Sequence, residues 1–239
     1  MIDLPFPAWI EKSPHLWRNL QLLRYRNSRF IGQLVSPNHH LVLEGFPRSG
    51  NSYSVRVFLN ANGCRRTWSI AHHFHRLPQV TLGVRWERPS IVLVRRPDDA
   101  VLSLVAHSIM RNVIPAEGRS LHLRYLTRAF GRWSRFYQGA LEVRENIIIS
   151  DFSATTERLD RVFAATNERF GTDFCTSLPT EAERKAIFDT GGTHLSPNAL
   201  RSNIKDRLTE LIQDRGLQKQ RDAASQLYDQ VKKFSIVAD

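Results

Sequence analysis

Cysteine is almost absent from this chain: Cys64 and Cys175 are the only two among 239 residues. That excludes a disulfide framework and a cysteine-based zinc ribbon, and two isolated thiols fit a reducing compartment, so a cytoplasmic location is expected. Long apolar runs are missing as well. No stretch approaches the roughly 20 apolar residues that a bilayer-crossing helix needs, and Met1 to Lys12 lacks the basic-then-apolar succession of a signal peptide. No membrane span is expected. No internal repeat and no low-complexity linker interrupts the sequence. Acidic side chains are scarce: 23 Asp and Glu face 34 Lys and Arg, a formal net charge of +11. Such an excess concentrates anions near the surface, whether nucleic acid, an acidic membrane, a nucleotide or an acidic acceptor. The cations are dispersed, with Arg85, Arg88, Arg95, Arg96, Arg124, Arg128, Arg132 and Arg135 in different settings and no basic run of five. Nucleic acid is therefore not the expected main partner.

The chain does carry ample apolar residues, 41%, with 24% charged, enough for one large α/β core. A single domain over residues 1–239 is expected, with residues 1–38 as an N-terminal extension packing on it. Pro5, Pro7 and Pro14 punctuate that extension, and Leu16 to Leu34 is basic and partly amphipathic. Beyond it, short apolar runs alternate with helical patterns. Strands are read at His40–Glu44, Thr67–Ala71, Ser90–Val94 and Asn146–Ser150. Helices are read from about Ser52 to Ala61, from Pro97 to about Ser108, over Leu121–Ala140 and Ala154–Phe170, and over Ile204–Phe234 with a break near Gly216. The alternation predicts an α/β fold with a parallel central sheet and flanking helices, a P-loop nucleotide-binding-like three-layer sandwich.

Gly45-Phe46-Pro47-Arg48-Ser49-Gly50-Asn51-Ser52 follows the first strand directly. A glycine-rich turn from strand to helix aims backbone N–H groups and a helix N-terminus at an anion, and the hydroxyls of Ser49 and Ser52 can add donors. A nucleoside-triphosphatase loop carries a lysine where Asn51 stands; here the cation, Arg48, lies inside the loop. The bland alternative is an ordinary turn with helix-capping serines. A second segment, Ile91-Val92-Leu93-Val94-Arg95-Arg96-Pro97, ends a buried strand on an arginine. A guanidinium there needs an anion, and phosphate suits its fork. Ser103 follows two helical turns later. The alternative is an ion pair of Arg95 with Asp98 or Asp99, and a core serine.

Pro47-Arg48-Ser49-Gly50-Asn51-Ser52-Tyr53 resembles the 5′-phosphosulfate-binding loop of PAPS-dependent sulfotransferases, and the segment around Arg95 resembles that family's 3′-phosphate-binding motif. The resemblance covers about Leu41 to His107. It implies that Arg48 meets the 5′-phosphate and the bridging oxygen, that Ser49, Gly50, Asn51 and Ser52 cradle the phosphate, and that Tyr53 stacks on adenine. It implies that Arg95 and Ser103 hold the 3′-phosphate. The family also has a histidine base in a Lys-Thr-His-Leu-Pro segment. Here Ser69-Ile70-Ala71-His72-His73-Phe74-His75-Arg76-Leu77-Pro78 occupies that place. Alignment on the strand end selects His73; alignment on the proline selects His75 and puts His73 where the family has its lysine. His73 is the first choice and His75 the second. Proton removal from an attacking acceptor suits histidine. His-X-His spacing can hold zinc, but no Cys or carboxylate cluster accompanies it, and no metal is expected.

The family's lysine falls on Ala71 in the first register or on His73 in the second, Tyr53 stands in place of the more usual tryptophan, and further departures follow in the later chain. Ser150 stands where the family has an adenine-contacting tyrosine, and its late Arg-Lys-Gly segment is missing; Arg184-Lys185 lacks the glycine, and Arg201 is only a candidate to replace it. Trp68, Trp86 and Trp133 are core candidates. The expected function is sulfuryl transfer from PAPS to a hydroxyl or amine of a small-molecule or glycan acceptor, giving PAP. The alternatives are a divergent P-loop kinase, a nucleotide-binding protein without catalysis and, third, an RNA-binding domain.

Overall fold

A computed structural model describes residues 8–62, 69–191 and 199–238. The chain opens with α1 (Ala8–Glu11), α2 (Pro14–Tyr25) and a 3₁₀ turn at Arg29–Gln33. Helix α2 starts on a proline, whose missing N–H costs nothing in a first turn, and its Trp17, Gln21 and Tyr25 recur at helical spacing on the buried face. Trp17 is fully buried in a small cluster with Ile10 and Leu34.

Next come β1 (Leu41–Gly45), α3 (Asn51–Ala61), β2 (Ile70–His72), α4 (Leu77–Arg85), β3 (Ser90–Val94), α5 (Pro97–Met110) and α6 (Arg119–Glu142). They are followed by β4 (Ile148–Asp151), α7 (Phe152–Glu157), α8 (Leu159–Phe170), α9 (Glu181–Gly191), α10 (Ala199–Ile212), α11 (Arg215–Lys232) and β5 (Ser235–Ile236). The five strands form one sheet in the order β2-β1-β3-β4-β5, every neighbouring pair parallel. The expected α/β class with a parallel sheet and flanking helices is the observed one.

Two expectations on elements need correction. The single helix read over Ala154–Phe170 is two, α7 and α8, separated at Arg158, whose φ of −133° and ψ of 41° lie outside the helical region. The break lets each piece follow its own partners: Thr155 reaches the loop after β1, where it sits against Gly50, while Leu159, Val162 and Phe163 enter the core. The sheet also has a fifth strand, β5, whose two residues carry too little pattern to be read. Of the second expected strand, Thr67 and Trp68 lie outside the described residues.

Buried strands in a parallel sheet must be apolar on both faces, and β3 is buried throughout. Its Val92 and Val94, with Ile149, face a core built with α5, α6, α10 and α11. Its Ile91 and Leu93, with Leu41, Leu43 and Ile148, face a second core built with α3 and α8. Each fully buried side chain of this kind contributes about 1.5–3 kcal/mol relative to exposure. The sheet is thus the middle of three layers. Chain direction across it reverses between β1 and β3, because β2 lies to one side and β4 to the other. In parallel α/β sheets, the carboxyl edge at such a switch point opens a crevice. The loops leaving β1 and β3 both empty into it.

Candidate active site

The loop after β1 is shaped by two glycines that tolerate no side chain. A Cβ on Gly45 would collide with the Leu93 carbonyl of β3, and one on Gly50 would lie 2.7 Å from Thr155 Cγ2. Gly50 also has φ 95° and precedes α3, a left-handed conformation that favours glycine. Arg48 adopts φ 74° without that freedom; such strain gathers at functional loops.

Two of the side chains expected around a phosphate turn inward instead. Ser49 is fully buried, its hydroxyl 3.3 Å from the Tyr137 hydroxyl. Tyr137 in turn donates to the Leu93 carbonyl at 2.6 Å and accepts from the Phe46 N–H at 3.2 Å, and burial raises its pKa. Asn51 is buried, and its Nδ2 donates to the Phe46 carbonyl at 3.1 Å. Both residues brace the loop through their side chains, so their offer to an anion is the backbone N–H at the N-terminus of α3. Ser52 is half-buried, and its hydroxyl lies 2.8 Å from His73 Nε2.

The structure joins the two arginine segments directly. Arg95 donates from Nη1 to the Arg48 carbonyl at 3.1 Å, and Arg48 Nε donates to Ser103 Oγ at 3.1 Å. The Arg95 guanidinium also lies over the Phe152 ring, 4.2 Å from its centroid. The carboxylates that sequence alone offered to Arg95 are engaged elsewhere: Asp98 with Arg221 at 2.9 Å and Asp99 with Lys205 at 3.3 Å. Trp133, fully buried, donates its indole N–H to the Arg95 carbonyl at 3.2 Å and fixes the end of β3. Tyr53 is buried and stacks on Phe188 of α9, with ring centroids 5.7 Å apart and planes 18° apart. Ser150 is fully buried, with its hydroxyl 2.9 Å from Thr155 Oγ1, and so belongs to the interior. The Arg201 side chain lies outside the described residues.

The histidine loop follows β2, and its organiser was not read from the sequence. Glu44, the fourth residue of β1, is fully buried. One carboxyl oxygen accepts from the Phe74 N–H at 2.8 Å and from Gln79 Nε2 at 3.2 Å; the other accepts from the His75 N–H at 3.0 Å. That grip holds His73 and His75 in left-handed conformations, φ 63° and 55°. The signal available was a carboxylate in an otherwise apolar strand, which needs buried donors. His75 Nδ1 lies 2.8 Å from the Gly45 carbonyl. A carbonyl can only accept, so Nδ1 carries the proton and Nε2 keeps the lone pair. His73 makes its contact with Ser52 through Nε2, while its Nδ1 meets His72 Nδ1.

Burial pushes the Glu44 carboxyl up to about 8, and burial pulls both His72 and His75 down to about 3. These shifts act oppositely on stability. The two histidines bind fewer protons folded than unfolded between pH 3 and their ordinary 6.5, so their contribution is present above 6.5 and lost as pH falls. Glu44 binds more protons folded between its ordinary 4.5 and 8, so its contribution is present below 4.5 and lost as pH rises. From these three groups, stability peaks near pH 6.5 and declines by about 2 kcal/mol toward pH 8. Denaturant melts across pH should show that decline in the parent protein and a flatter curve in Glu44→Gln.

No protein-family model matches this chain, and no curated protein matches its sequence. Among solved structures, mouse sulfotransferase SULT7A1 complexed with PAP is similar over 90% of this chain and 83% of that one, with 12% identity and a TM-score of 0.44. At that distance, a functional reading has to stand on the residues of the site.

Proposed function

We propose that this chain is a PAPS-dependent sulfotransferase, a single cytoplasmic domain that transfers a sulfuryl group to an acceptor hydroxyl or amine. The observation that carries the reading is the junction of the two arginine loops at the switch point, where Arg95, Arg48 and Ser103 form one hydrogen-bonded row. Two cations on neighbouring strand ends suit a nucleotide with phosphate at both ends of its ribose. An ATP-dependent kinase has no use for the second of them, and Asn51 stands where its lysine would be.

The residues fit such a donor. Backbone N–H groups at the start of α3, with Arg48 and Ser52, would hold the 5′-phosphate end; Arg95 and Ser103 would hold the 3′-phosphate. PAPS supplies an activated sulfuryl group joined to phosphate through a bridging oxygen. The acceptor oxygen or nitrogen forms a bond to sulfur as the bridging bond breaks, its electron pair passing to the phosphate. Arg48 stabilises that charge without reorganising. The acceptor proton goes to His75 Nε2, whose availability follows from the Nδ1–H bond to Gly45. His73, in contact with Ser52, takes the place of the family's lysine beside the phosphate.

Thermal-shift titration tests the donor site. PAP should bind at least about tenfold more tightly than ADP, the worth of a charge-assisted phosphate contact, and Arg95→Ala should abolish the difference. Equal protection by ATP and PAP would instead support the kinase. Tight PAP binding with no transfer to any of a broad set of acceptors would support a nucleotide-binding protein without catalysis.

A further inference from the structure

Helix α6 carries five arginines and a single carboxylate, Glu142, at its last residue. Dispersed in sequence, four of the five align in space. At 100° per residue, Arg124, Arg128, Arg132 and Arg135 fall within roughly an 80° arc along about 16 Å of helix. Like charges four residues apart repel, and solvated helix faces ordinarily offset them with interleaved Glu or Asp. This face has none. Arg124, Arg128 and Arg135 are exposed, Arg132 half-buried. Arg119, outside the row, is paired with Asp214 at 2.6 Å. Among the described residues, the ion pairs of the protein do not include Arg124, Arg128 or Arg135.

The row leads to the histidine loop. Gly139 lies in the same arc, one turn beyond Arg135, and packs directly against the Leu77 side chain, which would have to shift to admit even a methyl group there. Leu77 opens α4, two residues after His75. Arg132 is near enough to His75 for its charge to act on the imidazole. The arginine face and the candidate base are therefore adjacent.

The surroundings narrow what the row can bind. Single-stranded nucleic acid is held through bases stacked on exposed aromatic rings, but Phe130, Trp133, Phe136 and Tyr137 of α6 are buried and Tyr125 is half-buried against the core, so α6 exposes no aromatic platform. An anionic bilayer is held by cations together with exposed apolar side chains, and none of the exposed large apolar residues belongs to α6. What fits is a hydrated, flexible polyanion rich in hydroxyls. Arginine forks pair with carboxylate or sulfate oxygens two at a time, and 16 Å is the span of a short oligosaccharide.

We infer that the acceptor is an acidic polysaccharide that lies along Arg124, Arg128 and Arg135 and presents a hydroxyl to His75. This rests on the sulfotransferase reading of the site, but its test reads binding separately from the donor. Fluorescent heparin dodecasaccharide and oligogalacturonate would be titrated against the protein, with dextran oligosaccharide and a 12-nucleotide RNA as comparisons, alongside PAP. The acidic oligosaccharides should bind, dextran should not, and the triple variant Arg124→Gln, Arg128→Gln, Arg135→Gln should bind them about tenfold more weakly with PAP affinity and melting temperature unchanged. Preference for heparin over oligogalacturonate would assign the row to sulfate, the reverse to carboxylate. Equal binding by parent and triple variant, dextran binding as tightly as the acidic chains, or RNA outcompeting both would overturn the inference. A parent protein that binds the acidic chains but ignores PAP would overturn the donor reading and, with it, the acceptor role, leaving the row as a polyanion site.

Discussion

His75→Ala should lower PAP release from PAPS in the presence of acceptor by roughly 10²–10⁴-fold, the usual contribution of a positioned general base. The expectation follows from the tautomer. With Nδ1–H committed to the Gly45 carbonyl, 2.8 Å away, Nε2 is the basic nitrogen, and burial keeps the ring neutral across the physiological range. PAP affinity should be unaffected, because in the proposed reaction the imidazole acts on the acceptor. His73→Ala should show the other pattern. Its Nε2 touches Ser52 of the loop after β1, the proposed phosphate site, so KM for PAPS should rise while kcat falls less. Steady-state kinetics on the two variants separates the roles: collapse of kcat in His73→Ala with His75→Ala near normal would make His73 the base. Normal turnover in both would remove the histidine loop from the mechanism.

Arg48 carries the second large effect. Arg48→Ala should cost roughly 10²–10³-fold in kcat, the loss that follows removal of one preorganised donor from developing charge. The backbone supplies a control. Arg48 sits at φ 74°, so Arg48→Gly removes the same charge while relieving a conformation that costs a non-glycine residue about 1 kcal/mol. The glycine variant should melt higher than the alanine variant yet be as inactive. Recovery of activity in Arg48→Gly would mean that loop shape, not the guanidinium, is what matters. Both variants also release Ser103, to which Arg48 Nε donates at 3.1 Å, so a modest loss of PAP affinity should accompany the fall in rate.

Much of this site was legible as a list of residues and little of it as an arrangement. Arg48, Arg95 and Ser103 announced themselves through spacing, because a strand ending on arginine before a proline-initiated helix has few explanations. Their direct connection did not, since it depends on β1 and β3 being neighbours. Ser49 and Asn51 look like phosphate ligands in sequence, yet their side chains face Tyr137 and the Phe46 carbonyl; which way a loop side chain turns is set by what packs beneath it. Tyr53 had an adenine in prospect and meets Phe188, 135 positions along the numbering and in a helix the sequence reading did not place. Glu44 was read only as the end of a strand.

The sequence by itself determined the α/β class, the parallel sheet, the two arginine loops and the pair of histidines, because strand and helix periodicity and backbone-restricting glycines and prolines act within a few residues. Only the tertiary structure decided that Glu44 grips the histidine loop, that His75 and His73 are held by different partners, and that the arginine row of α6 ends beside them. Those are questions of which surfaces meet across about 20 to 60 positions of the chain, settled by how apolar faces bury against the sheet; local preference is silent on them.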